Sequence, residues 1–217
     1  METCLNKLAL NFDGKIYIIS DEIKNQLSFY KKFEPLDLKD IFGNKNPVNI
    51  EIGMGNGEFL AYYASKNLSE NYIGFEVNKK IFRKAIKRCE KEGLKNVRLI
   101  HYDASFFIDL LEKGSVKNFY INFPDPWPKK RHHKRRLLKK EFLEKLSDKL
   151  TKDGHVYIAT DHNDYGMEIA SNLKEIKSLT SCFESEYKAD LVDYYETKYY
   201  KRFGVPGKIF FFKLKRV

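Results

Sequence analysis

Val48-Asn49-Ile50-Glu51-Ile52-Gly53-Met54-Gly55-Asn56-Gly57-Glu58 is the stretch on which the fold turns. A short β-branched run enters a turn of three alternating glycines, and helical spacing follows from Gly57 to Lys66. Glycine tolerates positive φ and lets a ligand lie close to the backbone, so a strand, a glycine turn and a helix together make a binding edge at the strand's C-terminal end. An ordinary βα turn does not need three alternating glycines.

The same rhythm continues outward. Strands are predicted at Val48 to Ile52, Tyr72 to Glu76, Val97 to His101, Asn118 to Phe123 and His155 to Thr160. Helices are predicted at Gly57 to Lys66, Asn78 to Glu92, Ala104 to Glu112, Leu137 to Leu150 and Asp164 to Lys174. Strands joined through helices imply a parallel sheet with right-handed crossovers, hence an α/β, Rossmann-like, doubly wound fold. The chain closes with Tyr199 to Phe203, a turn at Gly204 to Gly207, and Lys208 to Lys213, which together read as a C-terminal antiparallel hairpin. Residues 1–46 carry no strong motif, only a β-like stretch at Lys15 to Ser20 and a helical one at Asp21 to Phe33. They are treated as an N-terminal appendage to a domain spanning 47–217.

The 217 residues suit one principal domain, and a formal charge of +10 with pI near 9.3 suits a polyanionic partner. Cys4, Cys89 and Cys182 lie far apart with no zinc-ligand spacing, which predicts free thiols in a reducing cytoplasm. The longest apolar run, Ile209 to Phe212, is strand-sized, and no secretory leader is evident, so a soluble cytoplasmic protein with no membrane association is expected. No motif calls for an obligate protein partner.

Acids choose the ligand. Glu76 ends the second strand about 20 residues after the glycines, where a carboxylate can accept both ribose hydroxyls of an adenosine. Glu51 precedes the first glycine by two residues, and Asp103 follows the third strand. A cluster of carboxylates disfavours a pyrophosphate but suits the amino group and sulfonium of S-adenosylmethionine, so that donor is preferred over a dinucleotide. Gly53 and Gly55 would line it. Asp103 can also cap the next helix, Glu76 could instead be a solvated strand end, and Glu58 suits a helix N-terminus.

After the fourth strand comes Asn122-Phe123-Pro124-Asp125-Pro126-Trp127-Pro128-Lys129-Lys130-Arg131-His132-His133-Lys134-Arg135-Arg136. Prolines bracket Asp125 and follow Trp127, which stiffens the loop. Six Lys and Arg residues within eight positions then follow the chain's sole tryptophan. Phosphate neutralisation and base stacking require those two chemistries side by side. A solvated charged loop and a core tryptophan are the plainer explanations of each feature alone. Adjacent His132 and His133 within a cationic run make a poor metal site, and no metal is expected.

This segment resembles the signature of bacterial tRNA guanine-N7 methyltransferases, a Phe-Pro-Asp-Pro-Trp core followed by Lys/Arg/His-rich sequence. The resemblance extends to Phe42-Gly43-Asn44, Glu51-Ile52-Gly53, Tyr72-Ile73-Gly74-Phe75-Glu76, Asp103-Ala104 and Ala159-Thr160-Asp161, and covers about residues 38 to 217. It implies the Rossmann-like S-adenosylmethionine-dependent methyltransferase fold, tRNA as partner and a variable-loop guanosine as target. Implied cofactor contacts are Glu51, Glu76, Asp103 and Asp125, with Asp125 also catalytic. Implied substrate contacts are Lys129, Asp161 and Thr197, Lys198, Tyr199 and Tyr200, with Arg131, His132, His133, Lys134, Arg135 and Arg136 touching RNA. Where the family pattern is Thr-x-Tyr-Glu, this chain has Tyr200 in last place, and the nearest acid is Glu196. Two other readings stay open at this point: a methyltransferase acting on another RNA or DNA base, and a non-catalytic RNA-binding module on a Rossmann fold.

Overall fold

The computed structural model describes residues 12, 14–19, 23, 35–189, 191, 194–205 and 207–217. Cys4 and nearly all of the predicted helix at 21–33 lie outside them. The chain divides into two compact units, residues 1–115 and 116–217.

The first unit holds β1 (Tyr17–Ile18), α1 (Leu38–Phe42), β2 (Val48–Ile52), α2 (Glu58–Lys66), β3 (Asn71–Phe75), α3 (Lys79–Lys91), β4 (Val97–Ile100) and α4 (Ala104–Leu110). Its strands are all parallel, in the order β1, β4, β3, β2. β2 and β3 are buried at every position, as strands covered on both faces must be. Two asparagines in these strands have hydrogen-bonding partners: Asn49 Nδ2 donates to Glu70 Oε2 at 2.8 Å, and Asn71 Nδ2 to Asn44 Oδ1 at 2.8 Å. Of the β-like stretch at Lys15 to Ser20, Tyr17 and Ile18 pair with Leu99 and Ile100, so this part of the N-terminal segment joins the sheet of the first unit.

α3 shows how the pattern becomes structure. Asn78 caps it, its Oδ1 accepting from the amides of Lys80 and Ile81, and Phe82, Ala85 and Cys89 form the buried stripe at helical spacing. Gly57 sits under that stripe at φ 72°, where an added Cβ would stand 2.9 Å from Ala85 Cβ. Gly57→Ala therefore incurs both left-handed backbone strain and overpacking, together about 2 to 5 kcal/mol. Urea unfolding should show a clearly lower midpoint; an unchanged one would refute this packing.

The second unit holds β5 (Val116–Asn122), a 3-10 helix (Lys130–Arg135), α5 (Lys140–Lys149), β6 (Leu150–Thr160), α6 (Asn163–Glu175), β7 (Leu179–Ser181), α7 (Lys198–Phe203) and β8 (Phe210–Arg216). β5 and β6 are parallel, and β8 lies antiparallel between β6 and β7. Antiparallel C-terminal strands are thus present, but not as the predicted hairpin. Lys198–Phe203 is a helix, capped by Thr197 Oγ1, which accepts from the Tyr200 amide at 3.2 Å. The partners of β8 are β6 and the unpredicted β7, and this interior position explains why Phe210, Phe211 and Phe212 are all buried. α5 starts at Lys140 rather than Leu137, because the Leu138 amide donates to the Tyr165 hydroxyl at 2.9 Å. β6 begins five residues earlier than His155, beyond a register shift against β5.

Among the described residues, Cys89 is buried and Cys182 exposed, both free. Burial pushes the Cys89 thiol up to about 12. No described helix is long and apolar enough to cross a membrane.

Candidate active site

In the first unit, β2 delivers Glu51 to the sheet edge and the glycine turn leaves from there. The amides of Gly53 and Met54 both donate to the Phe75 carbonyl, at 3.0 and 2.9 Å, which ties the turn to the end of β3. Gly53 and Gly55 adopt φ of 75° and 56°, and nothing lies within 4 Å of where either Cβ would stand. Open space over a turn that side chains would fill is what a closely bound ligand requires. Glu51 is only 4% exposed. So far from bulk water, a carboxylate attracts a cationic ligand through little screening.

Glu76 is held in one orientation: its Oε2 accepts from the Gly55 amide at 3.1 Å and its Oε1 from the Asn78 amide at 2.7 Å. The carboxylate is thus fixed between the turn and the start of α3, where it can still accept from a diol. Asp103 is the N-cap of α4, its Oδ1 accepting from the Ser105 amide at 2.9 Å and the Ser105 hydroxyl at 2.6 Å. The structure brings Glu51, Gly53, Gly55 and Glu76 together around one turn. With acids for an amine and a diol, and no basic residue in the turn, these residues fit S-adenosylmethionine.

In the second unit, β5 ends in the proline loop. Phe123 and Trp127 take φ of 51° and 43°, unusual for bulky side chains, and both flank Asp125. Asp125 is exposed, and its Oδ1 accepts from the Trp127 amide at 3.2 Å, closing an Asx turn over Pro126. The Trp127 ring has the Arg135 guanidinium 4.8 Å from its centroid and the His132 ring edge-on at 5.8 Å. Lys129, Lys130, Arg131, Lys134 and Arg135 are exposed, while His132 and His133 are half-buried.

Arg136 does not stand with them and is corrected as an RNA contact: it is 3% exposed. Its guanidinium hydrogen-bonds Asp164 at 2.6 Å, Glu168 and the Pro126 carbonyl. Burial lowers the Arg136 pKa, but the bonds to Asp164 and Glu168 outweigh that and leave it raised; in return Arg136 holds the Asp164 carboxyl below its usual range. His133 Nε2 lies 3.7 Å from Asp164. His133, Asp164 and Glu168 have the spacing of metal ligands, yet the guanidinium already supplies the positive charge between the two acids.

Asp161, at the end of β6, accepts from the Tyr199 hydroxyl at 3.2 Å. Tyr199 packs on Phe123 with centroids 4.8 Å apart, and burial followed by the Asp161 charge raises its pKa. Tyr200 faces Phe123 and Tyr194, and Tyr194 donates to Asn122 at 3.2 Å. Tyr199 therefore links Asp161 to Phe123, the residue that opens the proline loop, and Thr197 caps the helix that carries Tyr199. Tyr200 fills an aromatic cluster there, and Glu196 is exposed. Sequence reasoning missed Phe123, whose only signal was an aromatic immediately before a proline.

The fold and the donor-fitted turn define a Rossmann-like methyltransferase. Solved structures agree on the fold: an antibiotic-related methyltransferase (TM-score 0.56, 21% identity, 86% of this chain and 97% of that one) and a Streptococcus thermophilus rRNA methylase (0.51, 18%, 80% and 89%). A Streptococcus mutans methyltransferase solved with S-adenosylhomocysteine superposes at TM-score 0.54, with 14% identity over 80% of this chain and 90% of that one. The family model described as "Putative methyltransferase" matches residues 45–211.

At the sequence level, tRNA (guanine-N(7)-)-methyltransferases are similar over most of the chain. The Geobacter metallireducens protein is 37% identical over 180 residues, 82% of this chain and 85% of that protein. The Bacillus subtilis protein is 36% identical over 164 residues, 73% and 77%. The Thermotoga maritima protein is 42% identical over 176 residues, 80% of this chain but 55% of its own length. The chain belongs to the tRNA (guanine-N(7)-)-methyltransferase family.

Proposed function

We propose that this protein transfers a methyl group from S-adenosylmethionine to N7 of a guanosine in the tRNA variable loop, position 46. The observation that carries the reading is the proline loop, where an exposed, oriented Asp125 adjoins a stacked Trp127 and five outward-facing Lys and Arg residues. Family membership supports it. The reading takes 47–217 as the methyltransferase domain, with the family match over 45–211 in support, and 1–46 as an appendage whose Tyr17–Ile18 strand pairs with β4. The reaction takes place in the cytoplasm, where tRNA is modified.

Glu51, Gly53, Gly55, Glu76 and Asp103 hold the donor, which when bound supplies a methyl carbon made electrophilic by cationic sulfur. Guanine N7 carries no proton and has an exposed lone pair, so the chain needs no general base. The lone pair forms the new N–C bond as the C–S pair returns to sulfur, and positive charge moves onto the purine. Alignment dominates such a reaction. Asp125 orients the guanine and stabilises its growing positive charge, while Asp161 accepts from the base's N1–H and 2-amino donors. Lys129 and Lys198 meet phosphate or ribose, and Thr197, Tyr199 and Tyr200 shape the base site. Arg131, His132, His133, Lys134 and Arg135 supply the phosphate-facing charge. A guanosine in tertiary structure must be exposed first, so local opening accompanies binding.

Incubation with bulk tRNA and methyl-labelled S-adenosylmethionine, followed by nucleoside mass spectrometry, tests the reading. Label is expected in 7-methylguanosine. Label in another nucleoside would overturn the substrate, and no label would overturn tRNA as a sufficient acceptor.

A further inference from the structure

Of the six Lys and Arg residues after Trp127, five point outward and the last is buried. Its place in the fold gives it a different task. Arg136 Nε donates to the Pro126 carbonyl at 2.8 Å, so the guanidinium bridges the first and last residues of the segment 126–136 that carries the RNA-facing charge. The two other nitrogens reach Asp164 at 2.6 Å and Glu168 on α6, and the Tyr165 ring lies beneath the guanidinium, 4.9 Å from centroid to Cζ. One residue pair further on, the Leu138 amide donates to the Tyr165 hydroxyl at 2.9 Å and Asn172 Nδ2 to the Leu138 carbonyl at 3.3 Å. Asp164, Glu168 and Asn172 recur every four residues, so one face of α6 is devoted to this anchor.

We propose that Arg136 is a positioning residue: it closes the loop 126–136 at its base, locks it to α6, and thereby fixes the turn that presents Asp125. The planar fork suits the role, since a guanidinium can satisfy a carbonyl and two carboxylates at once whereas an ammonium is a point charge that cannot span all three in one plane. The Pro126 carbonyl belongs to the same peptide unit as the Trp127 amide, which donates back to the Asp125 carboxylate from a residue at φ 43°. Strained backbone of this kind persists only where its surroundings over-determine it. The catalytic consequence rests on the methyl-transfer reading above; the structural consequence does not.

Arg136→Lys separates the two, because it keeps the charge and loses the fork. Trp127 is the only tryptophan, so acrylamide quenching of its fluorescence reports on this loop directly, with or without turnover. Quenching should rise about twofold or more as the loop loosens. The kcat for tRNA methylation should fall by about ten- to a hundredfold, as expected for misplaced reacting groups, with KM changed far less. Donor affinity should stay within about threefold of wild type, because uniform binding is not what a positioning residue supplies. A folded Arg136→Lys with unchanged quenching overturns the proposal whatever the wild type methylates, and so does a fall confined to KM. If the wild type transfers no methyl to tRNA, the function reading fails and quenching alone decides the positioning role. Should Arg136→Lys not fold, Asp164→Ala takes its place: the Asp164 side chain is 63% exposed, alanine removes the acceptor that asparagine would keep, and the same rise in quenching is expected. No rise there overturns the proposal equally.

Discussion

Asp125→Asn lowers the turnover of tRNA methylation by about a hundred- to a thousandfold while tRNA affinity stays within a few-fold of wild type. The substitution is chosen for what it preserves. Asparagine keeps an Oδ1 that can accept from the Trp127 amide, the 3.2 Å bond that closes the Asx turn, so the loop keeps its shape. What disappears is the negative charge. As N7 takes the methyl group the purine becomes cationic, and a carboxylate held beside it favours that state more than the neutral ground state. Only such differential stabilisation raises kcat. In the free protein Asp125 is exposed and its field is screened, but RNA seated on the basic loop excludes water and strengthens it. Single-turnover rates with excess enzyme, read beside filter-binding affinities, separate the two effects. A normal rate with normal affinity would remove Asp125 from the chemistry.

Much of this arrangement is legible in the sequence, and the exceptions have physical causes. β2 was predicted to the residue, because a β-branched run stopped by glycine leaves little choice of boundary. The turn at Gly204 to Gly207 makes Tyr199 to Phe203 read as one arm of a hairpin, yet β propensity reports the fit to a half-buried sheet face more than any backbone preference. With Thr197 capping it, this stretch forms a short helix. The family resemblance puts Arg136 on the RNA side, and six Lys and Arg residues within eight positions carry no periodicity that says which one turns inward. The signal lay elsewhere, in Asp164, Glu168 and Asn172 at helical spacing, which only the fold connects to the loop. Positive φ at Phe123 and Trp127 was invisible for a different reason: such conformations are foreseeable at glycine, not at aromatics. Of the two readings of Asp103 the structure shows the cap, which occupies Oδ1 and keeps a donor contact through the second carboxylate oxygen compatible with it.

Glu51→Gln should weaken S-adenosylmethionine binding by about a hundredfold or more, the scale expected when one partner of a buried charge pair is removed. At 4% exposure the Glu51 carboxylate lies out of bulk water, where its attraction for a bound ammonium is screened little. Glutamine fits the same space and keeps an acceptor oxygen, so the free protein should melt near the wild-type temperature. The two signs together are diagnostic. A residue that serves only the core would lower the melting temperature when altered and leave donor affinity alone, whereas a donor contact does the reverse. Calorimetric titration with S-adenosylmethionine and thermal melts with and without it supply both readings, and the melting shift induced by the donor should shrink in proportion to the lost affinity. Unchanged affinity would move the amine-binding acid to Glu76 or Asp103 and leave Glu51 a structural carboxylate near the end of β2.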